Sequence, residues 1–204
     1  MRRTKEDAAK TRQAVVDAAL RLFSQRGYSG TTFRAIADEA GCSRGPIYWH
    51  FANKQELFDE ILAYSQRPLE ALVVTDLDLD HPIAAARSFA ERWLDLLTED
   101  RYFRQSFEIF LNKTEFTDDM AATVARERAL TASLVENFAK LVSAHRRDQG
   151  SLETYTTKPR DAAVSMYAYL MGMTQTWLFN DAVIDLAAAK TTVVDRFEGL
   201  LRAT

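Results

Sequence analysis

Thr32 to Lys54 reads TFRAIADEAGCSRGPIYWHFANK, and its punctuation spells two short helices around a tight turn. Thr32 carries a side-chain oxygen that can cap a helix whose apolar positions, Phe33, Ile36, Ala37 and Ala40, recur at three- and four-residue spacing. Gly41 follows the last of these, where a left-handed backbone costs glycine less than any residue with a Cβ. Ser43 is placed to cap a second helix. Pro46 falls in its first turn, where the missing N–H costs little because that donor has no helical partner anyway. Ile47 and Phe51, four apart, face inward against Ile36. Asn53 to Glu56 has the spacing of a capping box and opens a further helix. Two helices about a short turn containing glycine describe a helix-turn-helix.

The outward face of the second helix carries the chemistry. Arg44 lies at its N-terminal end, the end that enters a major groove, and its guanidinium can pair with O6 and N7 of a guanine. Gly45 lets the backbone approach phosphate or base. Tyr48 and His50 can donate to phosphate oxygens, and Trp49 offers an apolar face to a thymine methyl. Lys54, beside the positive end of the next helix, can reach a flanking phosphate, and Thr32 and Arg34 can clamp the other strand. A Tyr-Trp-His-Phe run also fits plain core packing. Four consecutive large residues cannot all face one side of a helix, however, so with Phe51 inward some of the others point out. Arg34 taken alone reads equally as a solvated surface charge.

Ile36, Ala37, Ala40, Gly41, Ser43, Gly45, Ile47, Tyr48, His50, Phe51 and Lys54 match the run I-A-x-x-A-G-x-S-x-G-x-I-Y-x-H-F-x-x-K. On these residues the chain resembles the TetR family of transcriptional regulators. The opening RRTKEDAAKTRQ, the segment GPIYWHFANK, EIFLNKTEFTDDM (Glu108 to Met120) and WLFN (Trp177 to Asn180) are similar to the AcrR-like repressors of multidrug-efflux operons. The resemblance implies that Thr32, Arg34, Ser43, Arg44, Gly45, Tyr48, Trp49, His50 and Lys54 contact operator DNA.

Charge agrees once the chain is divided. The 204 residues carry a net −3, but residues 1–54 hold ten Lys and Arg against five Asp and Glu, a net +5. The remainder holds 26 − 10 = 16 basic and 29 − 5 = 24 acidic residues, a net −8. A basic head on an acidic body concentrates attraction for phosphate at one end. Arg2, Arg3 and Lys5 precede the first helix and read either as an arm into an adjacent minor groove or as a solvated tail. Cys42 is the only cysteine, so no intramolecular disulfide forms and a reducing compartment suits the chain. Its thiol is either a small filler or a point where modification disturbs the turn before the second helix. No apolar stretch follows the charged N-terminus, and no run approaches the roughly 20 apolar residues of a membrane span. The expectation is a cytoplasmic protein without membrane contact.

Seven Gly and four Pro leave few helix breakers, and alternation survives only in LVVTDLDLD (Leu72 to Asp80). The reading is all-α, with about nine helices: a helix-turn-helix DNA-binding domain over residues 1–54 and a helical ligand-binding and dimerisation domain over 55–204. The first helix spans about Asp7 to Gln25, closed by Gly27. The fourth starts near Lys54 and is kinked or ended by Pro68. An acidic loop leads to Pro82, which opens the fifth. The sixth runs from near Asp100 toward Asn112, the seventh from about Thr117 to Arg147, the eighth from Pro159 to about Asn180, and the ninth from about Leu186 to Arg202.

A single helix-turn-helix reads few base pairs, so a two-fold homodimer is expected. The family's four-helix interface nominates helices eight and nine. Helix eight is apolar nearly all round, which fits burial against both its own subunit and a partner, and equally the central helix of a monomer. Large apolar residues crowd the middle helices and read by themselves as core; the resemblance makes them a pocket for a small-molecule inducer. Its candidate lining is Trp93, Phe103, Phe107, Phe110, Leu111 and Met171, with Gln66, Asn112, Thr174 and Gln175 as polar anchors. Phe107 and Leu111 stand where some relatives place polar groups, which implies a drier pocket and a more apolar ligand.

The resulting function is a ligand-responsive transcriptional repressor of a multidrug-efflux operon. The alternative is the same machine on a catabolic or lipid-metabolism operon. An enzyme finds little support: there is no GxSxG, no phosphate loop and no metal-ligand cluster, and His50, His81 and His145 are scattered. No cofactor or metal is expected. An architectural helical adaptor would bind random and operator DNA alike.

Overall fold

The computed structural model describes residues 5–74, 78–115, 120–150 and 156–202. Arg2, Arg3, the first three residues of the acidic loop, Phe116 and the expected start of the seventh helix at Thr117 lie outside these, as do the side chains of Arg44 and Pro46. Among the described residues there are nine α-helices and no strand. They are α1 (Lys5–Arg26), α2 (Phe33–Glu39), α3 (Arg44–His50), α4 (Lys54–Val74), α5 (Pro82–Glu99), α6 (Arg101–Asn112), α7 (Ala121–Asp148), α8 (Pro159–Phe179) and α9 (Lys190–Arg202).

The glycines and prolines stop and start these helices as expected, with two exceptions. Gly27 ends α1 and Gly41 ends α2, both at positive φ (73° and 64°). Pro82 and Pro159 stand in the first turns of α5 and α8. Pro68, by contrast, does not end α4; it stands inside the helix, which runs on to Val74 and takes in the first residues of the alternating LVVTDLDLD stretch. One backbone bond is forfeited there, a loss that a long helix with a buried face absorbs. The ninth helix also starts later than Leu186. A turn precedes it, in which Asp185 accepts at its carbonyl from the Ala189 amide and at its carboxylate from the Ala188 amide.

The molecule divides into two compact units. The first comprises the described residues up to Arg67 together with those from Tyr102 to Val124. Residues 5–54 fall wholly within it, along with the first part of α4 and α6 from Tyr102 onward. Its core is one cluster in which Val15, Val16, Ala19 and Phe23 of α1, Ile36 and Ala37 of α2, Ile47 of α3 and Leu57, Phe58, Ile61 and Leu62 of α4 are all buried. Phe58 meets Phe23 edge-on at 5.7 Å and Tyr28 at 4.8 Å, the offset geometry that ring quadrupoles favour.

The second unit comprises the described residues from Pro68 to Arg101 and from Ala125 onward. Its centre is aromatic: Phe89 on α5, Phe138 on α7 and Phe197 on α9 lie within 5.0–6.5 Å of one another. Outside this core, Arg87 on α5 donates to Asp195 at 2.8 Å and Glu198 at 2.6 Å on α9. The Arg87 guanidinium holds the Glu198 carboxyl below its ordinary range, with Arg202 adding a second donor.

His145, near the end of α7, is also buried. Burial, then the Arg202 charge, push its pKa below the ordinary 6.5, against the opposing pull of Asp148. The unfolded chain therefore takes up a proton before the folded one does. Stability is full above 6.5 and is lost as pH falls through that value toward the lower folded one. The melting temperature should accordingly drop between about pH 7 and about pH 5, and His145→Gln should flatten that drop. An equal drop in the variant would refer it to other groups.

Candidate nucleic-acid interface

The sequence places the head's caps where the structure has them, with one informative difference. Thr32 takes extended φ and ψ, and its hydroxyl oxygen accepts from the Ala35 amide at 3.2 Å. Asn53 accepts from the Glu56 amide at 2.8 Å, and Glu56 reaches back to the Ala52 amide at 2.6 Å, one residue beyond the usual capping-box return. Ser43 is the N-cap of α3 by position and backbone, yet its hydroxyl makes no capping bond. A cap normally serves the second or third amide of its helix, and one of these is missing here because the third residue of α3 is Pro46, which has no N–H.

Between these caps, α3 presents one wet face. Ile47 and Phe51 are buried at 1% and 2% exposure, while Tyr48 and Trp49 stand out at 59% and 74%. Edge contacts hold the two exposed rings. Tyr48 rests on Phe33 of α2 at 5.3 Å and Trp49 on His50 at 4.6 Å. Leaving two large rings in water is unfavourable unless something later covers them.

Gly45 is explained by nothing inside the chain. Its φ is not positive, and a Cβ built on it would meet no atom within 4 Å. Glycine there weakens the helix without serving a turn or a close internal contact, and it leaves the backbone open to the outside. Gly45→Ala should leave the melting temperature unchanged or slightly raised and should weaken binding to operator DNA. Unchanged binding would show that nothing approaches this backbone.

The remaining predicted contacts sort as follows. Arg34 is about three-quarters exposed and 4.0 Å from Asp38, a weak pairing with which phosphate readily competes. Arg44 opens α3. Lys54 has an internal task that sequence spacing does not reveal. Its ammonium donates to the Tyr28 carbonyl at 2.9 Å and the Thr31 carbonyl at 3.1 Å, and lies 4.0 Å from the Tyr28 ring centroid. It therefore fastens the α1–α2 turn to the first turn of α4. Two other cations brace the head as well. Arg12 pairs with Glu60 and lies over the Phe51 ring, and Arg21 donates to Glu39 at 2.9 Å.

The predicted ligand residues divide between the units. Gln66, Phe103, Phe107, Phe110, Leu111 and Asn112 belong to the first, and Trp93, Met171, Thr174 and Gln175 to the second. In the first, Gln66 is buried and Phe103 stacks on Phe107 at 5.7 Å with their planes 9° apart. Phe110, Leu111 and Asn112 are half-buried. In the second, the Trp93 indole N–H donates to the Thr174 hydroxyl at 2.9 Å, and both residues are buried. That bond joins two residues 81 positions apart and commits the Thr174 oxygen to an internal donor. Met171 and Gln175 are half-buried. Two surface clefts in this unit, of about 450 and 310 Å3, are lined chiefly by charged side chains such as Arg92, Glu99, Glu136 and Arg147, and by none of these ten residues.

The comparisons with known proteins follow this geometry. Residues 15–61 match the model for bacterial regulatory proteins of the tetR family, and residues 81–202 match the C-terminal region of MAATS-type transcriptional repressors. The chain is 34% identical over 207 residues to the HTH-type transcriptional regulator TtgR of Pseudomonas putida, covering 99% of this chain and 96% of that one. It is 32% identical over 193 residues to the HTH-type transcriptional regulator AcrR of Shigella flexneri, covering 91% and 86%. Among solved structures it is similar to NalD, the secondary repressor of the MexAB-OprM multidrug efflux pump in Pseudomonas aeruginosa, with a TM-score of 0.80 at 28% identity over 95% and 96% of the two chains. With a helix-turn-helix whose outward face is aromatic and whose family match spans the head and most of the remaining chain, this protein belongs to the TetR family of bacterial transcriptional regulators.

Proposed function

We propose that this chain is a ligand-responsive repressor of a multidrug-efflux operon, active as a cytoplasmic homodimer and released from operator DNA by a bulky apolar small molecule. The observation that carries the DNA-binding part is the solvent-facing side of α3, where Tyr48 and Trp49 stand exposed beside a Gly45 that the fold itself does not require. Arg44, Ser43, His50, Thr32, Arg34 and Lys54 complete the contact set, with Arg44 reading a base and the others gripping phosphates. The efflux assignment rests on relatives such as NalD, a repressor of an efflux pump.

Dimerisation is supported by the outer face of α8. Val164, Ala168, Gly172, Thr176 and Phe179 are exposed at successive three- and four-residue steps and none is charged. A Cβ at Gly172 would meet nothing within 4 Å, and Phe179 is 81% exposed. A mid-helix glycine on an uncharged, water-facing stripe suits close approach of a second helix. We assign that helix to α8 of a second copy, with α9 alongside.

For the inducer, the first unit offers Gln66, Phe103, Phe107, Phe110, Leu111 and Asn112, and the second offers Trp93, Met171, Thr174 and Gln175. The ligand releases DNA only through its preference for a conformer in which the two recognition helices no longer match grooves about 34–36 Å apart. A 100-fold preference is worth about 2.7 kcal/mol. The test adds a panel of apolar and cationic drugs to the protein bound on DNA from its own upstream region. Release by apolar members is the expected result; release by none rejects this ligand class.

A further inference from the structure

A segment far from the helix-turn-helix in sequence is built into the head. The Tyr28 amide, in the α1–α2 turn, donates to the Lys113 carbonyl at 3.0 Å, and a Cβ on Gly27 would come within 3.1 Å of that same oxygen. The Ser29 hydroxyl reaches Glu115 at 3.3 Å. Met120 is buried in the head's core cluster. Thr123, 7% exposed at the start of α7, closes a chain of hydrogen bonds back to the same turn. Its hydroxyl accepts from the Gln55 amide at 3.1 Å and donates to Asp59 at 2.8 Å. Gln55 also donates to Asp59 at 3.0 Å, and its carbonyl oxygen accepts from the Tyr28 hydroxyl at 3.0 Å.

This chain has one direction. Turning the Gln55 amide over would set its oxygen against the Asp59 carboxylate, so the amide and the Thr123 hydroxyl are fixed by their neighbours. Next to Gln55, Lys54 holds the Tyr28 and Thr31 carbonyls. The Thr31 hydroxyl in turn bonds to the Gly27 carbonyl at 2.8 Å, and the following residue, Thr32, is the cap of α2. The turn that leads into α2 is thus held by Lys54 and Gln55 of α4 and by Lys113 and Glu115.

We infer that Thr123, with Gln55 and Tyr28, is a positioning residue for DNA reading, and that residues 113–115 and 120–123 act as part of the head although they lie 59 to 69 positions beyond its last predicted contact, Lys54. Groups that read a groove need a supporting shell that locks their placement, and this network is that shell for the α1–α2 turn and the α2 cap. The inference rests on the DNA-binding reading above.

The test uses the 204-residue chain and four variants, one of them a control. Thr123→Val keeps the shape and removes both bonds of the hydroxyl, Tyr28→Phe cuts the opposite end of the network, and Thr123→Ser restores the hydroxyl. Operator and random DNA are titrated at one salt concentration, normalised to the active fraction, and melting temperatures are recorded. Loss of positioning weakens operator binding by about tenfold in Thr123→Val and Tyr28→Phe, leaves random DNA nearly unchanged, and is reversed in Thr123→Ser. Thr131→Val serves as a control, because Thr131 bonds to Tyr167 within the second unit and should leave the operator-to-random ratio unaltered. A lowered melting temperature with an unchanged ratio in both network variants would make the network structural only and overturn the inference. If the wild-type protein itself shows no operator preference, the DNA-binding reading falls and the role falls with it; an intact wild-type preference that neither variant reduces overturns the role alone.

Discussion

Arg44→Ala should weaken operator binding by about 1–3 kcal/mol, up to roughly a hundredfold, and relax the preference at a single base pair. The argument is positional. Arg44 is the first residue of α3, Ile47 and Phe51 are buried, and Tyr48 and Trp49 are exposed one turn on. A guanidinium at that end reads guanine through two fixed donors, which alanine cannot replace. Lys54→Ala provides the contrast. Its loss should weaken operator and random DNA alike and lower the salt slope by about 1, because a point charge near phosphate carries no sequence information. It should also lower the melting temperature, because the Tyr28 and Thr31 carbonyls lose their donor. An unchanged salt slope would assign Lys54 to the turn alone and remove it from the DNA contacts. Equal effects of both substitutions on random DNA would show that the base and phosphate roles are wrongly divided.

Gly172→Arg should abolish the dimer and, with it, most operator affinity. The site has room for a side chain in the single chain, and arginine is the better helix former, so the fold of one copy should persist. Across the proposed two-fold axis the same substitution puts two guanidinium groups into an apolar contact, where an unpaired buried charge is strongly unfavourable. Two half-sites bound independently also lose the gain of holding both heads on one dimer. Sedimentation should give the mass of one copy, with helical content unchanged. A dimer that survives the substitution would place the interface elsewhere than the Val164–Phe179 stripe.

The helix-turn-helix was legible because its determinants are local. Caps, the left-handed Gly41 and the inward pair Ile47 and Phe51 act within a few residues of one another, and the structure shows each of them. Ser43 shows the limit of such reading. The residue type suits a cap, yet its hydroxyl makes no capping bond, and Pro46 three positions on removes one of the two amides that could have donated. Of the two outcomes read for Pro68, ending the helix does not occur, since a proline forfeits one bond but does not outweigh a 21-residue helix.

What the sequence hid was tertiary. No pattern marks a backbone carbonyl as an acceptor, so the bond from Tyr28 to Lys113 and the seat of Lys54 on two carbonyls leave no trace in residue type. The pairing of Trp93 with Thr174 was equally invisible, and it gives the hydroxyl of that candidate anchor an internal donor. The spacing of apolar residues places α8 and marks it as apolar all round, but cannot say which face stays wet. Only the folded chain separates inward Met166 and Leu170 from outward Val164 and Phe179.

The central claim is that the exposed side of α3 reads a specific DNA sequence. The direct measurement is a titration of the purified protein onto labelled DNA from its own upstream region, against random DNA of equal length, at about 150 mM salt where nonspecific phosphate contacts are weak. The account predicts tight upstream binding, weaker on random DNA by about 10³-fold or more, with that ratio lowered in Arg44→Ala. Equal affinity for the two DNAs would contradict it.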